Sequence, residues 1–162
     1  MSKVICPGSF NPITLGHLNL FERCSKLFDE VVVAVTPNSA KTYLVTAEQR
    51  AAWIARATAH LPNVKVDVCT GLLAEYAVKN GAVALVKGLR NPQDMDIESQ
   101  MYFGNREISG GRIDTVFLPT DERYTYLSST IVRDIAGYGG EIRSFVPDCV
   151  AEEIAAAYLR RP

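Results

Sequence analysis

The segment PGSFNPITLGH, residues 7–17, gathers two glycines, two prolines and one of only two histidines in the chain. A short apolar run, KVIC, precedes it, and a helix-like run, LNLFERCSKLF, follows. Gly8 and Ser9 fall where a strand turns, and small residues there let a ligand approach the backbone closely. His17 falls at the mouth of a helix, where unpaired N–H groups and the helix dipole already favour an anion. An imidazole at that point can donate a hydrogen bond to phosphate without placing a fixed charge in the site. The simpler alternative is that His17 caps the helix while Pro7 and Pro12 shape a turn. The whole string, Gly-x-Phe-x-Pro-x-x-x-Gly-His after a first strand, favours chemistry over capping alone. A Gly-x-Gly-x-x-Gly fingerprint is absent, which disfavours a dinucleotide cofactor.

Other candidates for anion chemistry recur at intervals. Lys41 lies in NSAK, Lys87 and Arg90 in KGLR, and Ser128, Ser129 and Thr130 in LSSTIVR. Lysine in a loop is most often merely solvated, and serine before a helix is most often a cap. A cap with spare amides is, however, already an anion site.

The elements that must carry these residues alternate. VIC leads to a helix expected from His17 to Phe28, and VVVAV (31–35) reads as a strand covered on both faces. Thr46 and Gln49 form a capping-box pattern before a helix over Ala47 to Ala59. VKVDVC (64–69) alternates like a strand, LLAEYAVKN reads as a helix stopped at Gly81, and VALVKG (83–88) as a strand. DIESQMYFGNREI (96–108) is helical, TVFLP (115–119) a fifth strand, and SSTIVRDIA and DCVAEEIAAAYLRR are closing helices. The expected fold is a single α/β domain over residues 1–162: a Rossmann-like, doubly wound, five-stranded parallel sheet with helices on both faces. Ligands in such sheets bind beyond the carboxyl ends of the strands, near a topological switch point. The loops that follow strands are CPGSFNPITLGH, TPNSAK, CTGLL, KGLRNPQD and LPTDERYTYLSST, and most are rich in cations or hydroxyls.

Composition sets the bounds. The chain has 162 residues, 48% hydrophobic and 22% charged, with a formal net charge of −1. That charge argues against nucleic acid as a partner, so an anionic ligand must be held by a few placed cations. No window has the apolar length of a membrane span, and the N-terminus lacks a signal-peptide core, so a cytoplasmic location is expected. The four cysteines, Cys6, Cys24, Cys69 and Cys149, show no Cys-x-x-Cys spacing and read as reduced thiols.

GSFNPITLGH resembles the first signature of the nucleotidyltransferase superfamily, with TLGH as its (H/T)-x-G-H motif, and LSSTIVR (127–133) resembles the second. Together with KGLR, the DIESQM run and the length, the chain is similar throughout to the bacterial pantetheine-phosphate adenylyltransferase family. The resemblance implies transfer of AMP from ATP to 4′-phosphopantetheine by direct in-line attack, giving dephospho-coenzyme A and pyrophosphate. It assigns catalysis to His17, Lys41 and Arg90. It assigns ATP binding to Ser9, Phe10, His17, Gly88, Leu89, Arg90 and Glu98, and to the run Tyr124, Thr125, Tyr126, Leu127, Ser128, Ser129 and Thr130. Phosphopantetheine binding falls to Ser9, Lys41, Leu73 and Lys87. The resemblance further implies Mg²⁺ carried in with ATP rather than held by a protein cage, a homo-oligomer, often a hexamer, and coenzyme A as a possible feedback ligand.

Four positions depart from the family pattern. Lys87 replaces an arginine and loses its bidentate fork; Asn11 replaces an aspartate, Cys6 an aromatic residue, and Gly71 a position often acidic. These bear on substrate affinity more than on reaction type. Two rival readings are a nucleotidyltransferase with another product, separable by comparing ATP and CTP with several phosphate acceptors, and a non-catalytic nucleotide-binding module. A binding module would have no use for the transition-state donors His17, Lys41 and Arg90.

Overall fold

A computed structural model describes residues 1–36 and 43–160. Strands β1 (Lys3–Gly8), β2 (Glu30–Val35), β3 (Val64–Val68), β4 (Ala84–Leu89) and β5 (Asp114–Pro119) form one parallel sheet in the order β3-β2-β1-β4-β5. The helices are α1 (Leu15–Leu27), α2 (Ala47–Ala57), α3 (Leu73–Lys79), α4 (Pro92–Ile108), α5 (Ser129–Gly137) and α6 (Ala151–Tyr158). Short 3₁₀ turns occupy Glu122–Tyr124 and Asp148–Val150.

The pleat sends alternate side chains to opposite faces. Val4, Cys6, Val31, Val33, Val35 and Val86 pack in one core with Phe21 of α1, Trp53 and Ile54 of α2, Val132 of α5 and Ile154 of α6. Ile5, Val32, Ala34 and Leu85 pack in the other, with Ala77 of α3. Continuous apolar runs such as VVVAV follow from this two-sided burial. Helix α4 closes the second face against α3, β4 and β5, yet none of its residues is buried.

Most element boundaries differ from the sequence-based expectation by a residue or two, α2 for example ending at Ala57 rather than Ala59, and three differences have a clear local cause. Helix α1 starts at Leu15 rather than His17, because Thr14 is its N-cap. Helix α4 starts at Pro92 rather than residue 96: Asn91 Oδ1 accepts from the Asp94 N–H at 2.9 Å, and Pro92 stands in the first turn, where proline costs no hydrogen bond. The last expected helix is a 3₁₀ turn followed by α6, which ends when the Arg160 N–H leaves the helical ladder for the Gly137 carbonyl, 3.1 Å away.

The strand order reverses at β1, whose chain continues to β2 on one side while β4 pairs on the other. The carboxyl ends of β1 and β4 therefore meet at the switch point, and the candidate site forms there.

Candidate active site

A cleft of about 410 Å³ opens over these two strand ends. Its floor includes Cys6 to Gly8 of β1 and Val86 to Gly88 of β4, and its walls include the N-terminal turns of α1 and α5.

The first loop leaves β1 through a close approach. A Cβ on Gly8 would lie 2.8 Å from Phe10 Cζ, so glycine is required there for the ring to lie on the backbone. Phe10 has φ +44°, uncommon for a residue with a side chain. Its ring meets the rings of His17 (5.1 Å, 89°) and Phe21 (5.4 Å, 76°) edge-on. The Asn11–Pro12 peptide is cis.

His17 is both cap and candidate donor. Its N–H donates to Thr14 Oγ1 at 3.3 Å, and the Thr14 N–H donates to His17 Nδ1 at 3.0 Å. This is a capping box in which imidazole takes the place of the usual Glu or Gln. Because Nδ1 accepts, the proton of the neutral ring sits on Nε2, which has no protein acceptor among the described residues. Burial, then the charges of Arg90 and Lys87, push the imidazole pKa from 6.5 down to about 4. At neutral pH the cleft thus holds an uncharged Nε2–H donor beside two cations.

Those cations come from β4 and the turn after it. Lys87 Nζ pairs with Glu98 of α4 at 3.0 Å. Arg90 donates to both Asp94 carboxylate oxygens, from Nε at 3.0 Å and from Nη2 at 3.1 Å, and from Nη1 to the Leu127 carbonyl at 3.3 Å. Burial alone would raise the Asp94 pKa, but the hydrogen bonds from Arg90 outweigh it and hold the carboxyl below its ordinary range. Part of the guanidinium fork is therefore engaged within the protein, and Arg90 ties the β4 loop to the segment leading into α5.

That segment supplies the third wall. Ser128 caps α5, its Oγ accepting from the Ile131 N–H at 3.2 Å, and Ser129 Oγ donates to the Pro12 carbonyl at 2.7 Å. The N-termini of α1 and α5 thus both line the cleft, which gives it a positive field beyond its formal charges.

The structure brings most of the expected residues together. Ser9, Phe10, His17, Lys87, Gly88, Arg90, Glu98, Tyr124, Leu127, Ser128, Ser129 and Thr130 all line the cleft. Leu73 lines a second chamber of about 70 Å³, with Leu85, Met101 and Tyr102; Lys87 and Glu98 border both spaces. Leu89, Thr125 and Tyr126 do not line the cleft: Leu89 pairs along the sheet with Pro119, and Tyr126 is 90% exposed. Lys41 lies outside the described residues. Sequence reasoning missed Asp94, although the Asn-Pro-x-Asp cap pattern at 91–94 was available to it, and it missed Thr14 and Thr120 in the cleft wall.

Of the four departures, Cys6 borders the cleft with its thiol 3.7 Å from that of Cys24. Asn11 is turned inward, accepting from the Tyr158 hydroxyl through its side chain and from Arg133 through its carbonyl. Gly71 has φ +88°, a left-handed conformation in which glycine is the least strained residue. Among the described residues no group of three or more His, Cys, Asp or Glu side chains is placed to hold a metal ion. No described helix is long and apolar enough to cross a membrane.

The pattern of the cytidylyltransferase-like family matches residues 5–135. A phosphopantetheine adenylyltransferase of Corynebacterium efficiens is 46% identical over 160 residues, covering 98% of this chain and 99% of its own. One of Herpetosiphon aurantiacus is 48% identical over 158 residues, with 98% and 95% covered. A third, of Corynebacterium diphtheriae, is 44% identical over 155 residues, with 95% and 96% covered.

Proposed function

The chain belongs to the cytidylyltransferase-like family, and from that premise we propose that it transfers the adenylyl group of ATP to 4′-phosphopantetheine, giving dephospho-coenzyme A and pyrophosphate. One observation carries the reading: at a sheet switch point, two helix N-termini, a neutral imidazole donor, Lys87 and Arg90 converge on a cleft that borders a smaller chamber of mixed lining, with Leu73, Leu85 and Met101 beside Lys87 and Glu98.

An oxygen of the pantetheine phosphate attacks the α-phosphorus of ATP in line. The new P–O bond forms as the bond to the β-phosphate oxygen breaks, and pyrophosphate leaves with the electron pair. No side chain is bonded to the substrate, so catalysis is positioning and charge stabilisation. His17 Nε2–H donates to an α-phosphate oxygen, where charge is redistributed in the transition state. The N-terminal turn of α5, with Ser128, Ser129 and Thr130, holds the β- and γ-phosphates, joined by the free part of the Arg90 fork. Ser9, Phe10 and Gly88 frame the nucleotide, and Leu89, expected to join them, instead pairs along the sheet with Pro119. Glu98 stands near the ribose while fixing Lys87, and Tyr124 and Leu127 close the nucleotide side. Lys87 and Lys41 bind the acceptor phosphate, and Leu73 packs the pantetheine arm.

ATP is taken as its magnesium complex. The ion is ligated mainly by phosphate and water, as a hard cation that keeps much of its hydration shell. The proposal also treats residues 1–162 as one nucleotidyltransferase domain acting in the cytoplasm, and the assembly as a homo-oligomer, specifically a hexamer. Exposed Ile97, Met101 and Phe103 on α4 are consistent with such an assembly. Coenzyme A, which carries the product's own framework, is a candidate feedback ligand of the same cleft.

The reading is tested by acceptor choice. With ATP, 4′-phosphopantetheine is expected to turn over far faster than nicotinamide mononucleotide in a pyrophosphate-release assay. Equal or reversed preference would refute the acceptor and leave the family standing.

Lys87→Arg probes the boundary between the two spaces. Arginine keeps the charge beside Glu98 and adds a second parallel donor. Calorimetric titration is expected to show phosphopantetheine bound as tightly or more tightly, with ATP affinity unchanged. A large loss of ATP affinity instead would mean that Lys87 serves the nucleotide.

A further inference from the structure

Arg50 is a charged residue the proposed chemistry does not use. It stands on α2, one turn past the Thr46 cap, yet it is only 2% exposed. Among the described residues no carboxylate lies within ion-pair distance of it. Its guanidinium instead donates from Nη1 to the Ser9 carbonyl and from Nε to the Thr46 carbonyl at 3.3 Å, and it stacks 4.2 Å from the centroid of the Tyr43 ring. Carbonyl dipoles and a π face compensate a buried cation only in part, since neither carries a net charge.

The carbonyl that Arg50 grips belongs to the loop that lines the cleft, whereas Arg50 itself does not line it. In a trans peptide, C=O and N–H point to opposite sides. With the Ser9 oxygen drawn toward α2, the Ser9–Phe10 peptide turns its N–H the other way. That N–H has no protein acceptor among the described residues.

We propose that Arg50 is a positioning residue for phosphate binding: it holds the Ser9–Phe10 peptide so that its N–H serves the cleft, and the bound phosphates add counter-charge to a guanidinium that has no carboxylate at ion-pair distance among the described residues. This inference rests on the adenylyl-transfer reading, but it makes a claim about an anion that can be tested separately. Two links are involved, a hydrogen bond that orients a loop and a charge acting across one peptide.

The test compares wild type with Arg50→Lys and Arg50→Met, using pyrophosphate as the binding probe and ATP with 4′-phosphopantetheine for turnover. Lysine keeps the charge but cannot reach both carbonyls in one plane. For Arg50→Met, pyrophosphate affinity is expected to fall about tenfold or more and kcat about 10- to 100-fold, the range for losing a hydrogen bond to a charged group. Arg50→Lys should fall between the two, keeping most of the pyrophosphate affinity and recovering only part of kcat. The rise in Tm that pyrophosphate produces in wild type should shrink in Arg50→Met. If Arg50 only packs α2, basal Tm drops while pyrophosphate affinity and kcat of the folded variants stay at wild-type values, and the proposal is overturned. Should Arg50→Met fail to fold, Arg50→Lys decides by the same measure: wild-type kcat in it overturns the positioning role. If wild type itself does not adenylylate phosphopantetheine, the functional reading fails, while the pyrophosphate comparison still judges Arg50.

Discussion

Replacing His17 with alanine is expected to lower kcat by roughly 10²–10³, the loss typical of removing one preorganised donor at developing charge. The geometry gives the donor its state. The Thr14 N–H holds Nδ1, so Nε2 carries the proton, and burial with two neighbouring cations keeps the ring neutral. The same substitution removes half of the capping box, at a cost of about 1 kcal/mol in stability. The two effects separate by measurement, because capping reads out in Tm and transition-state donation in the single-turnover rate. His17→Asn, with a donor at shorter reach, should lose less rate than the alanine variant. A folded His17→Ala enzyme with a near-normal single-turnover rate would return this residue to a capping role alone.

The pH behaviour of the free enzyme follows with a definite sign. The folded-state pKa of His17, about 4, lies below the 6.5 of an unperturbed imidazole. The unfolded chain therefore takes up a proton that the folded one refuses. Stability linked to this group is intact above 6.5 and is lost progressively as pH falls from there to about 4. An NMR titration should find His17 as the Nε2–H tautomer and unprotonated at pH 6. Titration near 6.5 would contradict the burial argument.

Gly8→Ala is the second substitution expected to have a large effect. The new Cβ would sit 2.8 Å from Phe10 Cζ and 2.9 Å from Cε1, inside van der Waals contact. The ring cannot retreat freely, being wedged against His17 and Phe21. Overpacking of this kind costs about 1–3 kcal/mol, and the strain reaches His17 directly, so kcat should drop as well. Gly88→Ala is the control for stability. Its nearest neighbour would be Leu20 Cδ2 at 3.5 Å, an ordinary contact, and its Tm should stay near wild type. Equal Tm in the two variants would show that the Phe10 ring adapts, and that the close approach does not constrain the loop.

The parts of the fold that were legible in the sequence are those where local pattern and tertiary packing agree. VVVAV is buried from both faces because it lies in a parallel sheet, and Thr46 caps α2 as its spacing suggests. Most of the candidate site was legible for a similar reason: Ser9, His17, Lys87, Arg90 and Ser128 sit at the carboxyl ends of strands or in the loops and helix starts that follow them, and parallel topology gathers these at one edge. What was not legible had separate causes, some distant in sequence and some local. Nothing near Arg50 reveals that it would reach back 41 residues to Ser9. The engagement of Arg90 by Asp94 needed the early start of α4, which hinged on reading Asn91-Pro92 as a helix entrance rather than a loop. Tyr126 was included because it lies within a signature run, yet the turn after the Glu122–Tyr124 segment leaves its side chain exposed.

The most direct measurement is the fate of an α-phosphate label. ATP labelled at the α-phosphorus, incubated with the protein, magnesium and 4′-phosphopantetheine, is expected to pass its label into dephospho-coenzyme A, with one pyrophosphate released for each label transferred. Mass spectrometry of the product and a pyrophosphate assay read both quantities at once. Label remaining in ATP or appearing only in free AMP or ADP, with no adduct to the pantetheine phosphate, would contradict adenylyl transfer to this acceptor.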